Sequence, residues 1–263
     1  MSKTMSQADA VAGLRRELQG LFALGVGFLL AASAGLAYIE QATYALGWLV
    51  LGLACWSLVT WQCLRRLPLN QSHPGGNLFS SLGHGNRVTL LRGLLIAGTA
   101  GFLVDALLPT HSWLPFLPAL FYSLAAIGDA LDGYLARRQQ QTTVLGQQLD
   151  MSLDALGLLI APLLAVLYGY LHVSYLLVSM AYYLFQWGLY WRKKHGKAVH
   201  DLPPSRLRRY LAGAQMALVA VVLWPLVPSD MSRVAGMIFM VPLLAGFWRD
   251  WLHVSGRRMT TQS

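Results

Sequence analysis

Apolar residues in this chain come in long blocks, and the polar residues collect in the gaps between them. Eight blocks fall at roughly 21–39, 44–61, 88–108, 113–136, 147–169, 170–191, 207–226 and 231–251. Several reach about 18 to 22 residues, which at ~1.5 Å per residue carries a helix across a ~30 Å hydrocarbon layer. The pattern predicts an all-α fold, a polytopic integral membrane bundle of about eight transmembrane helices. Ahead of the first block, residues 6–22 place Val11, Leu14, Leu18 and Phe22 on one helical face and charges on the other. That predicts an amphipathic helix lying along the cytoplasmic interface. A polar stretch with Gly and Pro at 67–86 separates the first two blocks from the remaining six, and its Leu78, Phe79 and Leu82 are spaced to rest on the membrane surface. In the third block Gly93, Ala97 and Gly101 recur every four residues, a stripe that lets another helix approach closely.

Composition strengthens this picture. Of 263 residues, 56% are hydrophobic and only 12% charged, against ~25% charged in an ordinary soluble domain. The net charge of +9 raises the question of a nucleic-acid partner. Placed on eight spans with the N-terminus in the cytoplasm, every Lys and Arg except Arg233 falls on the cytoplasmic side or its helix ends. The charge is then accounted for by topology and by anionic headgroups, with no nucleic acid among the partners. Both termini are expected to face the cytoplasm, in a bacterial inner membrane. AASA at 31–34 resembles a signal cleavage site, but its apolar run is too long and starts too far in, so it reads as part of the first span. Cys55 and Cys63 lie eight apart on one span or its end and read as packing residues. The seven His fall mostly near loops and interfaces and read as ordinary surface residues.

Against this background one segment stands out: GDALDGYLARRQQQTTVLGQQLDMSLD, residues 128–154, holds four of the nine Asp. A carboxylate at depth in a bilayer costs several kcal/mol unless it faces protein, water or a cation. Asp129 and Asp132 are three apart and Asp150 and Asp154 four apart, so each pair shares a helical face. Arg137 marks the cytoplasmic end of the fourth span and Gly146 opens the fifth; Asp129 and Asp154 each lie eight residues inward, about 12 Å. On antiparallel neighbours the two pairs meet at matching depth. Four carboxylates with little basic charge beside them repel one another unless divalent cations sit between them. Oxygen-only ligands favour Mg²⁺, Ca²⁺ or Mn²⁺. A two-metal site is the natural inference, and its commonest use is in-line displacement at phosphorus. Gly133, Ala136 and Gly146 leave room for a bulky ligand beside the helices. Arg137 is suited to a phosphate or to interfacial anchoring.

The run Asp129-Ala-Leu-Asp132-Gly133-Tyr-Leu-Ala136-Arg137, then eight residues, then Gly146-Gln-Gln-Leu-Asp150-Met-Ser-Leu-Asp154 resembles, at every position, the signature of the CDP-alcohol phosphotransferase family, also called CDP-alcohol phosphatidyltransferases. The resemblance implies that Asp129, Asp132 and Asp150 hold two divalent metal ions, Mg²⁺ or Mn²⁺, which bind the diphosphate of a CDP-linked donor. It implies that Asp154 contacts a metal and deprotonates the acceptor alcohol, and that Gly133, Ala136, Arg137 and Gly146 belong to the nucleotide site. It also implies a homodimer with a six-helix core. The layout expected is an N-terminal segment with two added helices at 1–66, a linker and interfacial segment at 67–87, the core at 88–254 and a cytoplasmic tail at 255–263.

Two further stretches bear on substrates. Asn86-Arg-Val-Thr89-Leu-Leu-Arg92 is similar to the start of the family's first core helix, without the Pro that often precedes it, and adds Asn86, Thr89 and Arg92 to the nucleotide site. Read without the resemblance, it is a helix cap with a snorkelling arginine. In Pro204-Ser205-Arg206-Leu-Arg208-Arg209-Tyr-Leu211-Ala212-Gly-Ala-Gln215-Met216, Ser205 is placed to cap the seventh span. This stretch resembles the segment that glycerol-phosphate-using members write as Gly-Lys-x-Lys-Thr before Ala-Gln-Met. Here Arg209 replaces the first Lys, while Leu211 and Ala212 stand where the second Lys and the Thr belong. Arg206, Arg208 and Arg209 are candidates for an acceptor or lipid phosphate, or anchors at the membrane surface.

The expected function is metal-dependent transfer of a phosphatidyl group from a CDP-linked lipid donor, CDP-diacylglycerol first among them, to a small alcohol, with release of CMP, in phospholipid biosynthesis. The alternatives are an intramembrane prenyltransferase acting on a diphosphate, an Asp-lined cation transporter, and a degenerate family member without activity.

Overall fold

The computed structural model describes residues 7–108, 114–139, 143–203 and 205–257, with the side chains of residues 130–139 outside that description. Among the described residues there are eight α-helices: α1 Gln7–Ile39, α2 Ala42–Arg66, α3 Gly83–Gly101, α4 Phe116–Gln139, α5 Val144–Leu167, α6 Leu176–Lys194, α7 Arg206–Val222 and α8 Ser229–Val254. The only β pairing described is an isolated bridge between Gln71 and Leu78. Five helices, α1, α2, α3, α5 and α8, are long and apolar enough to cross a membrane, and α4 adds a shorter apolar stretch at Phe116–Asp129. α7 has 17 residues and opens on arginines, and α6 ends on Arg192, Lys193 and Lys194. The all-α membrane bundle expected from the hydropathy pattern is what the chain forms.

The N-terminal segment differs from expectation. Residues 7–39 make one continuous helix of 33 residues in place of a surface helix followed by a span. The reason is phase: Ala10, Leu14, Leu18, Gly25, Leu29, Ser33 and Leu36 form one buried stripe along its whole length. With no change of face and no proline, nothing makes the helix turn at the membrane surface. At ~1.5 Å per residue it is about 50 Å long, so it outruns a ~30 Å hydrocarbon layer.

The chain divides into two compact units, Met1–Gly157 and Leu158–Ser263. In the first, α1 and α2 form an antiparallel hairpin. Ser33 Oγ donates to the Ala45 carbonyl at 2.9 Å, and Trp56 Nε1 donates to the Phe22 carbonyl at 3.1 Å. The small-residue stripe of α3 meets α2: a Cβ on Gly93 would lie 2.7 Å from Val59, and one on Gly101 would lie 2.6 Å from the Trp48 ring. Ala97, between them, is fully buried. Cys55 and Cys63 are buried free thiols on α2. At the far end of the hairpin Tyr44 donates to Asp105 at 2.5 Å.

The linker is ordered by polar side chains. Glu17 on α1 accepts from the Leu82 amide at 3.0 Å and pairs with Arg87 at 2.8 Å, so one carboxylate serves the helix N-terminus twice. Asn70 is fully buried and donates to the Ser81 carbonyl at 2.8 Å, while its own carbonyl accepts from the Phe79 amide at 2.9 Å. The Gln71 carbonyl accepts from Val144 at 2.9 Å, which ties the linker to the start of α5.

In the second unit, Tyr175 donates to Gln215 Oε1, and Gln215 Nε2 donates to the Phe239 carbonyl at 2.5 Å. Phe239 lies in the turn before Pro242 of α8, where the helix loses a backbone donor. The fully buried Gln215 thus serves a carbonyl beside a break. Arg233 donates to the Gly169 carbonyl at 2.9 Å and holds the turn after α5.

Candidate active site

Arg92 of α3 is the centre of the site. Its guanidinium lies 2.8 Å from Asp129, 2.5 Å from Asp150 and 2.9 Å from Asp154. α4 supplies the first carboxylate and α5 the other two, one helical turn apart, as the four-residue spacing requires. Gly128 makes the approach possible, because a Cβ there would lie 2.8 Å from Arg92 Cγ. The arginine stem therefore passes over Gly128 while its head meets the next residue, Asp129. The Arg92 side chain is 2% exposed, whereas Asp129, Asp150 and Asp154 are 33%, 39% and 31% exposed. The cation is sealed in protein, and the carboxylates keep an accessible side.

Sequence reasoning placed little basic charge beside the aspartates. The structure corrects this, since one buried arginine reaches three of them. Its sequence position, 37 residues before Asp129, gave no local sign of the contact.

The donor set fits a divalent cation. One oxygen from each of Asp129, Asp150 and Asp154 lies within 4.8 Å of the others. Two oxygens on a shared Mg²⁺ or Ca²⁺ sit at most about 4–5 Å apart, given bonds of ~2.0–2.6 Å. Three hard oxygens and no sulfur or imidazole favour such ions over zinc or copper. Asp132, Gly133, Ala136 and Arg137 lie on α4, whose helix runs to Gln139, but their side chains fall outside the described residues.

The predicted Asn86 and Gly146 form a polar joint between α3 and α5. Asn86 is buried and donates to Asn70 Oδ1 at 3.1 Å, to the Leu82 carbonyl at 2.8 Å and to Thr143 Oγ1 at 3.2 Å. Thr143 in turn accepts from the Gly146 amide at 2.9 Å, an N-cap for α5. A Cβ on Gly146 would lie 2.5 Å from Asn86 Oδ1, so the glycine permits the close approach of the two helices. Thr89 is buried and donates to the Gly85 carbonyl at 3.0 Å. Thr143, Asn70 and Gly128 were not picked out from sequence. A Thr three residues before a helical Gly is a readable cap, whereas Asn70 gave no sign within a polar loop.

In the second unit Ser205 caps α7 as expected, accepting from the Arg208 amide at 3.4 Å. Arg208 is bound to Asp250 at 3.3 Å and donates to the Pro203 carbonyl. Arg206 and Arg209 are exposed.

Comparison with known proteins agrees with the signature. The family model for CDP-alcohol phosphatidyltransferase matches residues 83–248. A protein of Salmonella choleraesuis named CDP-diacylglycerol--glycerol-3-phosphate 3-phosphatidyltransferase is 29% identical over 177 residues, covering 65% of this chain and 92% of the relative. Proteins of the same name from Salmonella typhimurium and Escherichia coli match with the same identity and coverage. No solved structure matches the chain at a significant level. Since the family match runs over well more than half of the chain and contains the whole aspartate cluster, this protein belongs to the CDP-alcohol phosphatidyltransferase family.

Proposed function

We propose that the protein transfers a phosphatidyl group from CDP-diacylglycerol to a small alcohol, releasing CMP, as a step of phospholipid synthesis. The observation that carries this reading is the convergence of Asp129, Asp150 and Asp154, from two helices, to within 4.8 Å of one another, inside the segment that matches the family. Asp129, Asp132, Asp150 and Asp154 would hold divalent metal ions, Mg²⁺ or Mn²⁺, whose charge would supply Lewis-acid stabilisation of the donor diphosphate. Asp154 takes the proton from the acceptor hydroxyl. The alkoxide oxygen forms a bond to the phosphorus on the lipid side of the diphosphate, the bond from that phosphorus to the bridging oxygen breaks, and CMP carries away the electron pair. Arg92 holds Asp150 and Asp154 in place from the protein side and closes the base of the cluster, which speaks against a cation path through it.

Gly133, Ala136, Arg137 and Gly146 form the nucleotide site in this reading, with Asn86, Thr89 and Arg92 organising its α3 side. The curated relatives are named for glycerol-3-phosphate. Leu211 and Ala212 replace a Lys and a Thr in the segment tied to that acceptor, so the phosphate-binding role of α7 falls here to Arg206 and Arg209. The enzyme works as a homodimer in the inner membrane, with its aspartates open to the cytoplasm.

The test is CMP release by the purified protein with Mg²⁺ or Mn²⁺, CDP-diacylglycerol and a panel of acceptors that includes glycerol-3-phosphate, serine, choline and inositol phosphate. Asp154→Asn should lower turnover by about 10²–10⁴-fold, the usual loss for a missing general base, while CDP-diacylglycerol binding persists. Normal turnover in Asp154→Asn would sink the base assignment. No CMP with any acceptor in the unaltered protein would sink the activity.

A further inference from the structure

A groove of about 350 Å³ runs between α1 and α2, within the range of small-ligand sites. Its α1 wall carries Arg15, Gln19 and Phe22, and its α2 wall carries Ser57, Trp61 and Leu64. On each helix these residues follow one strip at intervals of four and three, so the groove follows the hairpin axis. Because the helices are antiparallel, Arg15 lies toward the Leu64 end and Phe22 toward the Ser57 end, about 10 Å away.

The two ends differ in chemistry. The Arg15 end belongs to the basic end of the hairpin, where Arg65 and Arg66 close α2. There Arg65 sits over the Trp61 ring at 4.8 Å. The other end is walled by Phe22, and Trp61, between the ends, is half exposed. Among the described residues the side chains of Arg15, Gln19 and Ser57 make no hydrogen bond or ion pair within the protein. A cation and neutral polar groups thus stand unpartnered beside an apolar trench, on two helices that are both long and apolar enough to cross a membrane.

From this placement we propose that the α1–α2 groove is a binding site for one anionic phospholipid, its phosphate on Arg15 and part of an acyl chain along Phe22, Trp61 and Leu64. A water-borne anion would leave the apolar walls uncovered, and a neutral lipid would leave the arginine unpaired. An anionic amphiphile satisfies both ends, and the surrounding membrane supplies it. The site lies outside residues 83–248 and uses none of the aspartate cluster, so it stands independently of the transfer reaction proposed above. It gives the two added helices a role that the family core does not require.

The experiment uses the full chain in detergent and counts bound lipid by native mass spectrometry, with phosphatidylglycerol and phosphatidylcholine of identical acyl chains. The unaltered protein should retain phosphatidylglycerol in preference to phosphatidylcholine. Arg15→Ala should weaken phosphatidylglycerol binding about fivefold, equivalent to the ~1 kcal/mol that one basic residue contributes near an anionic membrane surface, and leave phosphatidylcholine unchanged. Arg16→Ala, at an exposed neighbour that does not line the groove, should change neither. Ser57→Trp should fill the groove and remove the tightly held lipid; Gln19→Trp does the same from the α1 wall if the first variant does not fold. Equal losses in Arg15→Ala and Arg16→Ala would overturn the site in favour of diffuse charge attraction. Undiminished retention in both tryptophan variants would also overturn it.

Discussion

Arg92→Leu tests the charge balance of the aspartate cluster most directly, because leucine retains apolar bulk and removes only the guanidinium. One oxygen from each of the three carboxylates lies within 4.8 Å of the others. At an effective dielectric constant of ~20, two unit charges at that distance repel by about 3.5 kcal/mol, so three ionised carboxylates store roughly 10 kcal/mol of repulsion that a cation must offset. Removing one partner of a buried ion pair typically costs ~3–5 kcal/mol. Here the aspartates are about a third exposed, and water screens what the arginine no longer does. The lower end, ~3 kcal/mol, is therefore the expected loss. At 2–4 °C per kcal/mol this lowers Tm by roughly 6–12 °C.

The assay is thermal unfolding of purified protein in detergent, first with EDTA and then with increasing Mg²⁺ or Mn²⁺. Divalent ions should raise the Tm of Arg92→Leu more than that of the unaltered protein, because in the variant the ion alone neutralises the cluster. Adding Asp150→Asn to Arg92→Leu should recover part of the loss in EDTA, since one of the repelling charges is gone. A variant as stable as the unaltered protein in EDTA, or an identical metal-induced shift in the two proteins, would refute the argument that Arg92 serves as counter-charge.

Five further substitutions, in three experiments, probe the surroundings. Gly146→Ala brings a Cβ to 2.5 Å from Asn86 Oδ1 and should cost about 1–3 kcal/mol by overpacking; Asn86→Ala in the same chain should relieve part of it, read as Tm. Tyr175→Phe leaves the buried Gln215 oxygen without its tyrosine donor and should lower stability by about 1–2 kcal/mol in thermal or denaturant unfolding. Arg208→Ala breaks the pairing with Asp250 and should lower Tm, whereas Arg209→Ala, at an exposed position, should leave Tm alone and raise KM for a phosphate-bearing acceptor. A raised KM in Arg208→Ala with unchanged KM in Arg209→Ala would reverse those roles.

What could be read from the sequence follows from how far each signal extends along the chain. Span positions depend on runs of apolar residues, and Asp150 and Asp154 share a face because a helix repeats every 3.6 residues. Both are local properties: among the described residues eight helices form where the apolar runs lie, five of them long and apolar enough to cross a membrane, and Asp150 and Asp154 meet the same guanidinium. The separate surface helix expected over residues 6–22 is replaced by one continuous helix because the expectation rests on a change in polarity. The buried stripe from Ala10 to Leu36 keeps its phase across that change, and phase governs helix continuity. Arg92 is singled out by its stretch as a site residue, but its contact with the aspartates and the role of Asn70 are opaque for another reason. Their partners lie on different helices, at sequence distances where no periodicity operates, and a polar residue in a loop or at a span's end has an unremarkable role available.

The route by which Arg92 reaches the aspartates also gives α2 a place in the architecture of the site. The residue after Arg92 is Gly93, whose missing side chain admits Val59 of α2 on one side and Leu153 of α5 on the other; a Cβ there would lie 2.7 Å from the first and 3.4 Å from the second. Leu153 in turn is the neighbour of Asp154. Three helices are therefore in van der Waals register at the level where the arginine meets the carboxylates. Close-packed interiors transmit small displacements because few voids can absorb them. α2 lies outside the stretch that matches the family, yet it packs against the backbone that aims Arg92. The added hairpin thus packs on the helix that carries Arg92, at Gly93 beside the arginine and again at Gly101, where a Cβ would lie 2.6 Å from the Trp48 ring.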